Sequence, residues 1–275
     1  MISKKIGFMQ GRMTMPPSKN IIQYFPQKNW KKEISIAKEN SFSFVEYIGE
    51  KNFNKQNPIW GKKGLKEIIF LTKKFNVKNY SFCDNFFINN NLINYKHLDN
   101  YIDNLIKNLS FLKIKIYVLA LYEKSNLTKS NFKDYVNTIK NISKKLKKAG
   151  IKLGLETNLN VEYFLKFLKS IDNKNSFLVY DTGNRLKKNQ AQYKEILKLK
   201  NKIAHVHLKD KNYRGKNVII GKGKVNFTLI FRSLNKINYK GNFVFETNRG
   251  KNPIITMRNN FKFIKSITDK VDFKI

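Results

Sequence analysis

The chain has 275 residues, 41% of them apolar, and a mean hydropathy of −0.51. That length suits one large domain with one core, and no apolar run reaches the roughly 20 residues that a membrane-spanning helix needs. The 55 Lys and Arg against 19 Asp and Glu leave a net charge of +36.

A field of that size favours anionic partners in general. The lysines are nevertheless spread along the whole chain and no nucleic-acid module motif appears. The excess therefore reads as a bias toward Lys, Asn, Ile and Phe, of the kind an AT-rich genome produces, and argues against a nucleic-acid partner. The single cysteine, Cys83, excludes an internal disulfide and a cysteine zinc site. The start, Met1 to Gly7, has too little apolar length for a secretion signal, so a cytoplasmic location is expected.

Eight short apolar runs recur along the chain. They are Lys5–Met9, Phe44–Ile48, Tyr80–Cys83, Lys115–Leu121, Lys152–Glu156, Phe177–Tyr180, Ile203–His207 and Asn242–Glu246. Each is short, rich in β-branched or aromatic residues and below helix length, which predicts strands. Amphipathic stretches lie between them, predicting helices over Asn29–Asn40, Tyr95–Leu112, Phe132–Ala149, Val161–Ile171, Gln190–Leu199, Thr228–Ile237 and Pro253–Ile267. Gly150 is placed to stop the helix that precedes it, and Pro253 suits a first helical turn. The strand-to-strand repeat is that of a βα unit. Eight such units in a row, with no linker and no GxGxxG opening a helix, predict an α/β chain folded as one (β/α)8 TIM barrel over residues 1–275.

Active sites of such barrels lie at the C-terminal ends of the strands. The fifth strand ends in Glu156, the sixth runs into Asp181, the seventh ends in His207 and the eighth in Glu246. Three carboxylates and an imidazole on successive strand ends make an oxygen/nitrogen donor set suited to one divalent ion, Mn, Mg, Co or Zn. Any one of these residues alone reads as a solvated charge or a structural histidine; it is the four consecutive positions that point to a metal. Gln10, Glu46 and Asp84 also end strands and are candidate substrate contacts. Arg12 and Arg249 follow the first and last strands, neighbours once a barrel closes, and a guanidinium pair suits a phosphate or carboxylate. Lys209 and Asp210 follow His207 and are placed to orient it or a substrate.

At these residues the chain resembles the xylose isomerase-like TIM barrel superfamily, and within it the sugar phosphate isomerase/epimerase group. The likeness runs through IGFMQGRM (Gly7, Met9, Gln10, Gly11, Arg12), FVEYI (Glu46), SFCD (Cys83, Asp84) and LGLETN. It is strongest in YDTGN, HVHLKD and FETNRG, and it includes the glycine turn GKGKVNF (Gly221, Gly223, Phe227). The resemblance implies a metal held by Glu156, Asp181, His207 and Glu246, with His207 rather than His205 as the ligand. It also implies a substrate-binding arginine near Arg214, and self-association, since relatives are often dimers or tetramers. One departure is Asn184, which stands where ketose epimerases often carry a histidine.

The expected activity is that of a metal-dependent isomerase or epimerase of a sugar or sugar phosphate, moving a proton through an enediolate. Glu156 and Glu246 would serve as acid and base on opposite faces of the sugar. A dehydratase or lyase on a related polyol ketone shares that intermediate. An apurinic-site endonuclease is a further reading, although three histidines are too few for the three-zinc cluster of such relatives. A barrel that binds a sugar without turning it over is the reading from a different class.

Overall fold

The computed structural model describes residues 5–18, 21–171, 174–187 and 191–274. Its eight parallel strands are β1 (Ile6–Met9), β2 (Phe44–Gly49), β3 (Lys78–Asp84), β4 (Ile116–Leu121), β5 (Lys152–Thr157), β6 (Ser176–Asp181), β7 (Ile203–Leu208) and β8 (Asn242–Phe245). Each pairs with its neighbours in sequence, and β8 returns to β1 with Gly7 opposite Val244, which closes the barrel. Strands covered on both faces read as continuous apolar runs rather than alternating ones. β4, Ile-Tyr-Val-Leu-Ala-Leu, is buried at all six positions.

The register sets the mouth. Asp181 pairs with His207, and His207 with Val244, two residues before Glu246. The amide of Glu246, one position beyond β8, donates to Leu208 O at 3.1 Å and so holds its carboxylate at the same level. A short antiparallel ribbon, Asp210–Lys211 with Asn217–Val218, rises from the end of β7.

Nine helices lie outside the barrel among the described residues: α1 (Trp30–Ala37), α2 (Lys62–Lys74), α3 (Phe86–Asn89), α4 (Leu98–Phe111), α5 (Phe132–Lys148), α6 (Val161–Ser170), α7 (Gln192–Leu199), α8 (Phe227–Lys236) and α9 (Pro253–Lys270). In α5, Tyr135, Ile139, Ile142 and Leu146 face the barrel, while Lys133, Lys144, Lys147 and Lys148 stay exposed. Each buried aliphatic side chain stabilises by roughly 1.5–3 kcal/mol relative to exposure. Pro253 opens α9, and the side chain of Asn252 caps it by accepting from the Ile255 amide. The expected start of α7 at Gln190 lies outside the described residues.

Two helices differ from expectation. The sequence between β2 and β3 predicts none, yet α2 occupies it. The run Ile68-Ile69-Phe70-Leu71 mimics a strand, but only Ile68 of the four is fully buried and Phe70 is 63% exposed. Gly64, an unfavourable helix residue, is there because a Cβ would lie 2.4 Å from Pro58 O. α3 is a single turn, too short for periodicity to reveal. Among the described residues no helix is long and apolar enough to cross a membrane.

Gly150 ends α5 in a two-bond motif. Its amide donates to Lys147 O at 3.0 Å, and the Ile151 amide donates to Leu146 O at 2.9 Å. Its φ of +70° is left-handed, and the space around its Cα is open. Gly150→Ala should therefore cost roughly 1 kcal/mol through backbone conformation alone. It should appear as a lower urea midpoint with an unchanged slope; an unchanged midpoint would mean the turn does not require glycine.

Candidate active site

Asp181 is aimed by the turn that follows it. Its Oδ1 accepts from the amides of Gly183 (2.8 Å) and Asn184 (2.6 Å), which leaves Oδ2 facing the barrel axis. Thr182 ties that turn to the next strand: its Oγ1 donates to Lys209 O at 2.6 Å and accepts from Lys209 N at 2.9 Å. Glu156 projects from β5 and accepts at Oε1 from Tyr122 OH (3.1 Å) and Asn184 Nδ2 (2.9 Å).

His207 Nδ1 lies 3.1 Å from Glu246 Oε2 and 3.5 Å from Glu156 Oε2. One ligand atom from each of Glu156, Asp181, His207 and Glu246 falls within 4.8 Å of the others, and all four residues are buried. Asp181 Oδ2, His207 Nδ1 and Glu246 Oε2 have no partner with hydrogen-bond geometry, although Lys209 Nζ is 2.9 Å from Asp181 Oδ2. Buried polar atoms are normally paired. Three orphans converging in one place, beside a fourth carboxylate, fit a divalent cation.

The carboxylates sit in unlike surroundings. Glu246 Oε1 meets Lys209 Nζ (2.5 Å), Arg12 Nη2 (3.1 Å) and Gln23 Nε2 (2.9 Å). Burial would raise its pKa, but Lys209, His207 and Arg12 outweigh burial and hold it well below the usual carboxylate range. Glu156 hydrogen-bonds only to neutral groups; burial, with the charges of Glu246 and Asp181, overcomes the pull of His207 and pushes it up to about 7. Burial opposes charge on His207, but Glu46, Glu246 and Glu156 raise it well above the ordinary imidazole value. Without a cation, then, a proton on His207 does part of a cation's work.

Beneath this group, Glu46 lies between two histidines. Its Oε2 is 2.8 Å from His205 Nε2 and its Oε1 is 2.9 Å from His207 Nε2. Burial would raise the carboxyl, but the two imidazoles hold it at about 2. Above the group opens a cavity of about 680 Å³, reached by Glu156, Asn184, Lys209 and Glu246 and walled by Ile21, Ile22, Tyr122, Asn158, Lys211 and Asn217.

The remaining expected contacts are distributed unevenly. Arg12 is fully buried and committed to Glu246, Gln23 and Thr247 O. Arg249 donates to the backbone oxygens of Gly11, Ile21 and Ile22, so both guanidinium groups are engaged by the protein itself. Asp84 is sealed off from the cavity and accepts from Tyr101, Tyr117 and the Phe86 amide. Gln10 is buried beside Ile48 with its Nε2 unpaired, and Arg214 is exposed in the turn of the ribbon. Asp210 orients neither His207 nor the cavity; it accepts from the amides of Gly221, Gly223 and Val225 and fixes that loop.

Three cavity residues escape the sequence reading. Tyr122 directly follows β4, where a search of every strand end would find it. Lys211, whose Nζ donates to Asn184 Oδ1 at 2.6 Å, shares a face of its segment with Lys209. Gln23 lies in the loop after β1 and has no local signature.

The family model described as the xylose isomerase-like TIM barrel matches residues 34–267, and the chain belongs to this family. No curated protein matches it in sequence. Among solved structures it is similar to a D-allulose 3-epimerase from Methylomonas sp., at 15% identity and a TM-score of 0.76, covering 97% of this chain and 99% of that one. It is similar also to an L-ribulose 3-epimerase (15% identity, TM-score 0.75, 98% and 95% covered) and to a D-tagatose 3-epimerase-like protein (19%, 0.74, 98% of each). At these identities the likeness is one of fold.

A cation entering this group must displace the proton on His207 and, below about pH 7, a second from Glu156. Mn2+ affinity should thus fall as pH falls, most steeply below about pH 7 where Glu156 also takes up a proton. Calorimetric titration across pH 6–8 checks this; an affinity flat over that range would contradict the assignment.

Proposed function

We propose that the protein, as one barrel domain over residues 1–275, is a divalent-metal-dependent epimerase of a small sugar. The observation that carries this reading is the pair Glu156 and Glu246, flanking His207 Nδ1 in opposite electrostatic settings. Two carboxylates whose pKa values are driven apart by their surroundings are suited to the roles of acid and base.

Glu246, kept charged by Lys209 and Arg12, removes the proton on the carbon next to the carbonyl. Glu156, held by the neutral groups Tyr122 and Asn184 on the other side of His207, addresses the opposite face and delivers a proton there. One C–H bond breaks, another forms on the far side through an enediolate, and the configuration inverts. The bound ion would supply electrostatic stabilisation for the charge that develops on the substrate oxygens. Tyr122 and Asn184 fix the Glu156 carboxyl for this transfer, and Ile21 and Ile22 form an apolar part of the cavity wall.

The names of the structural neighbours agree with this reading, since all three are called 3-epimerases or like one. Aldose–ketose isomerisation by one carboxylate is the second reading; the unequal settings of Glu156 and Glu246 favour two groups with separate tasks. A plain sugar is favoured over a phosphorylated one because Arg12 and Arg249 already serve internal partners. The endonuclease reading is weakened by His97, which lies at the start of α4 away from His205 and His207.

The test is proton–deuterium exchange into a panel of ketoses in heavy water at saturating Mn2+. Exchange with inversion is expected; carbonyl migration instead would indicate an isomerase, and no exchange on any sugar would defeat the proposal. Glu246→Gln should lower turnover by about 10²–10⁴-fold while the fold survives. Glu156→Gln should still exchange the proton yet lose inversion, and inversion at the wild-type rate would remove Glu156 from the acid role.

A further inference from the structure

Glu46 and His205 do not line the cavity, and both are fully buried beneath it, each 0% exposed. His205 Nε2 hydrogen-bonds to Glu46 Oε2 at 2.8 Å, and Glu46 Oε1 lies 2.9 Å from His207 Nε2, a charge contact off the ideal hydrogen-bond direction. A carboxylate offers only acceptors, so each imidazole nitrogen that faces it carries the hydrogen. Once His207 is neutral, that choice puts its lone pair on Nδ1, the atom that faces Glu156 and Glu246. With the other tautomer, the lone pair would face Glu46 and a hydrogen would face the ion.

We propose that Glu46, held in place by His205, is a positioning residue that fixes the tautomer and ring orientation of His207 and thereby sets the affinity of the site for a divalent cation. The proposal rests on the metal-dependent reading but not on which sugar is turned over. Glu46, His205 and His207 also lie close enough to be ligands of a second ion. Distances argue otherwise. Across a tetrahedral ion with bonds of about 2.1 Å, ligand atoms stand about 3.4 Å apart. The two Glu46–imidazole contacts are 2.8 and 2.9 Å, direct carboxylate–imidazole distances. The His207 Nδ1 distances on the other side, 3.1 and 3.5 Å, leave room for an ion.

Calorimetric titration of the purified full chain with Mn2+ alone tests this. Glu46→Gln, which keeps the shape but lets an amide hydrogen face one imidazole, should weaken Mn2+ by roughly 10–100-fold. His205→Gln should weaken it less, and the double variant should be no worse than Glu46→Gln, because both act through one ring. At saturating Mn2+, KM for the sugar should stay near that of the wild type. Unchanged Mn2+ affinity in Glu46→Gln overturns the proposal. So does a raised KM with normal Mn2+ affinity, which would make Glu46 a substrate contact, or a second bound ion that His205→Gln abolishes. Should Glu46→Gln fail to fold by circular dichroism, His205→Gln decides alone, and unchanged affinity there overturns the idea. A chain that binds Mn2+ in a Glu46-dependent way yet exchanges no sugar proton refutes the epimerase reading and leaves this one standing.

Discussion

Three carboxylates buried against one imidazole form an arrangement that a protein interior does not tolerate without compensation. Removing a charge from water costs several kcal/mol even after relaxation. Glu156, Asp181 and Glu246 are each at most 4% exposed. Lys209 and Arg12 offset part of that cost. What remains is a set of oxygen and nitrogen lone pairs aimed at a common point. The barrel creates this situation through register, because parallel pairing aligns the ends of β5 to β8, and the turn after Asp181 and the amide of Glu246 complete it.

The same electrostatic imbalance provides chemical asymmetry. Glu246 faces the cationic side of the mouth and Glu156 the neutral side. Two residues of one type thereby acquire different proton affinities without any difference in covalent structure. The loops of the mouth are held by buried acids that take no part in this. Glu33 of α1 accepts from the amides of Gly11 and Met13 and from Thr14 Oγ1, and Asp210 holds the loop at Gly221–Val225.

Much of this was legible in the sequence because strand ends are local features. Glu156, Asp181, His207 and Glu246 each close an apolar run, and parallel closure then brings them together. The helix α2 was not legible, since Gly64 and the run Ile68–Leu71 contradict helical patterning, and only the contact with Pro58 explains the glycine. Glu33 was not legible because its partners lie about 20 residues upstream in an irregular loop. Glu46 was visible as a strand end, but its partners were not: pairing with His205 and His207 spans the barrel and leaves no trace in spacing. Arg12 and Arg249 follow strands that the barrel makes neighbours, whereas their partners, a carboxylate for one and backbone carbonyls for the other, depend on loop paths that composition does not encode.

The most direct test of the central claim is an anomalous difference map from crystals grown with Mn2+ and recorded near its absorption edge. A single strong peak is predicted, bonded to Glu156, Asp181, His207 Nδ1 and Glu246 at roughly 2.0–2.3 Å. A map with no peak at the barrel mouth, or with the ion bound elsewhere while these four side chains close on one another, would contradict the account.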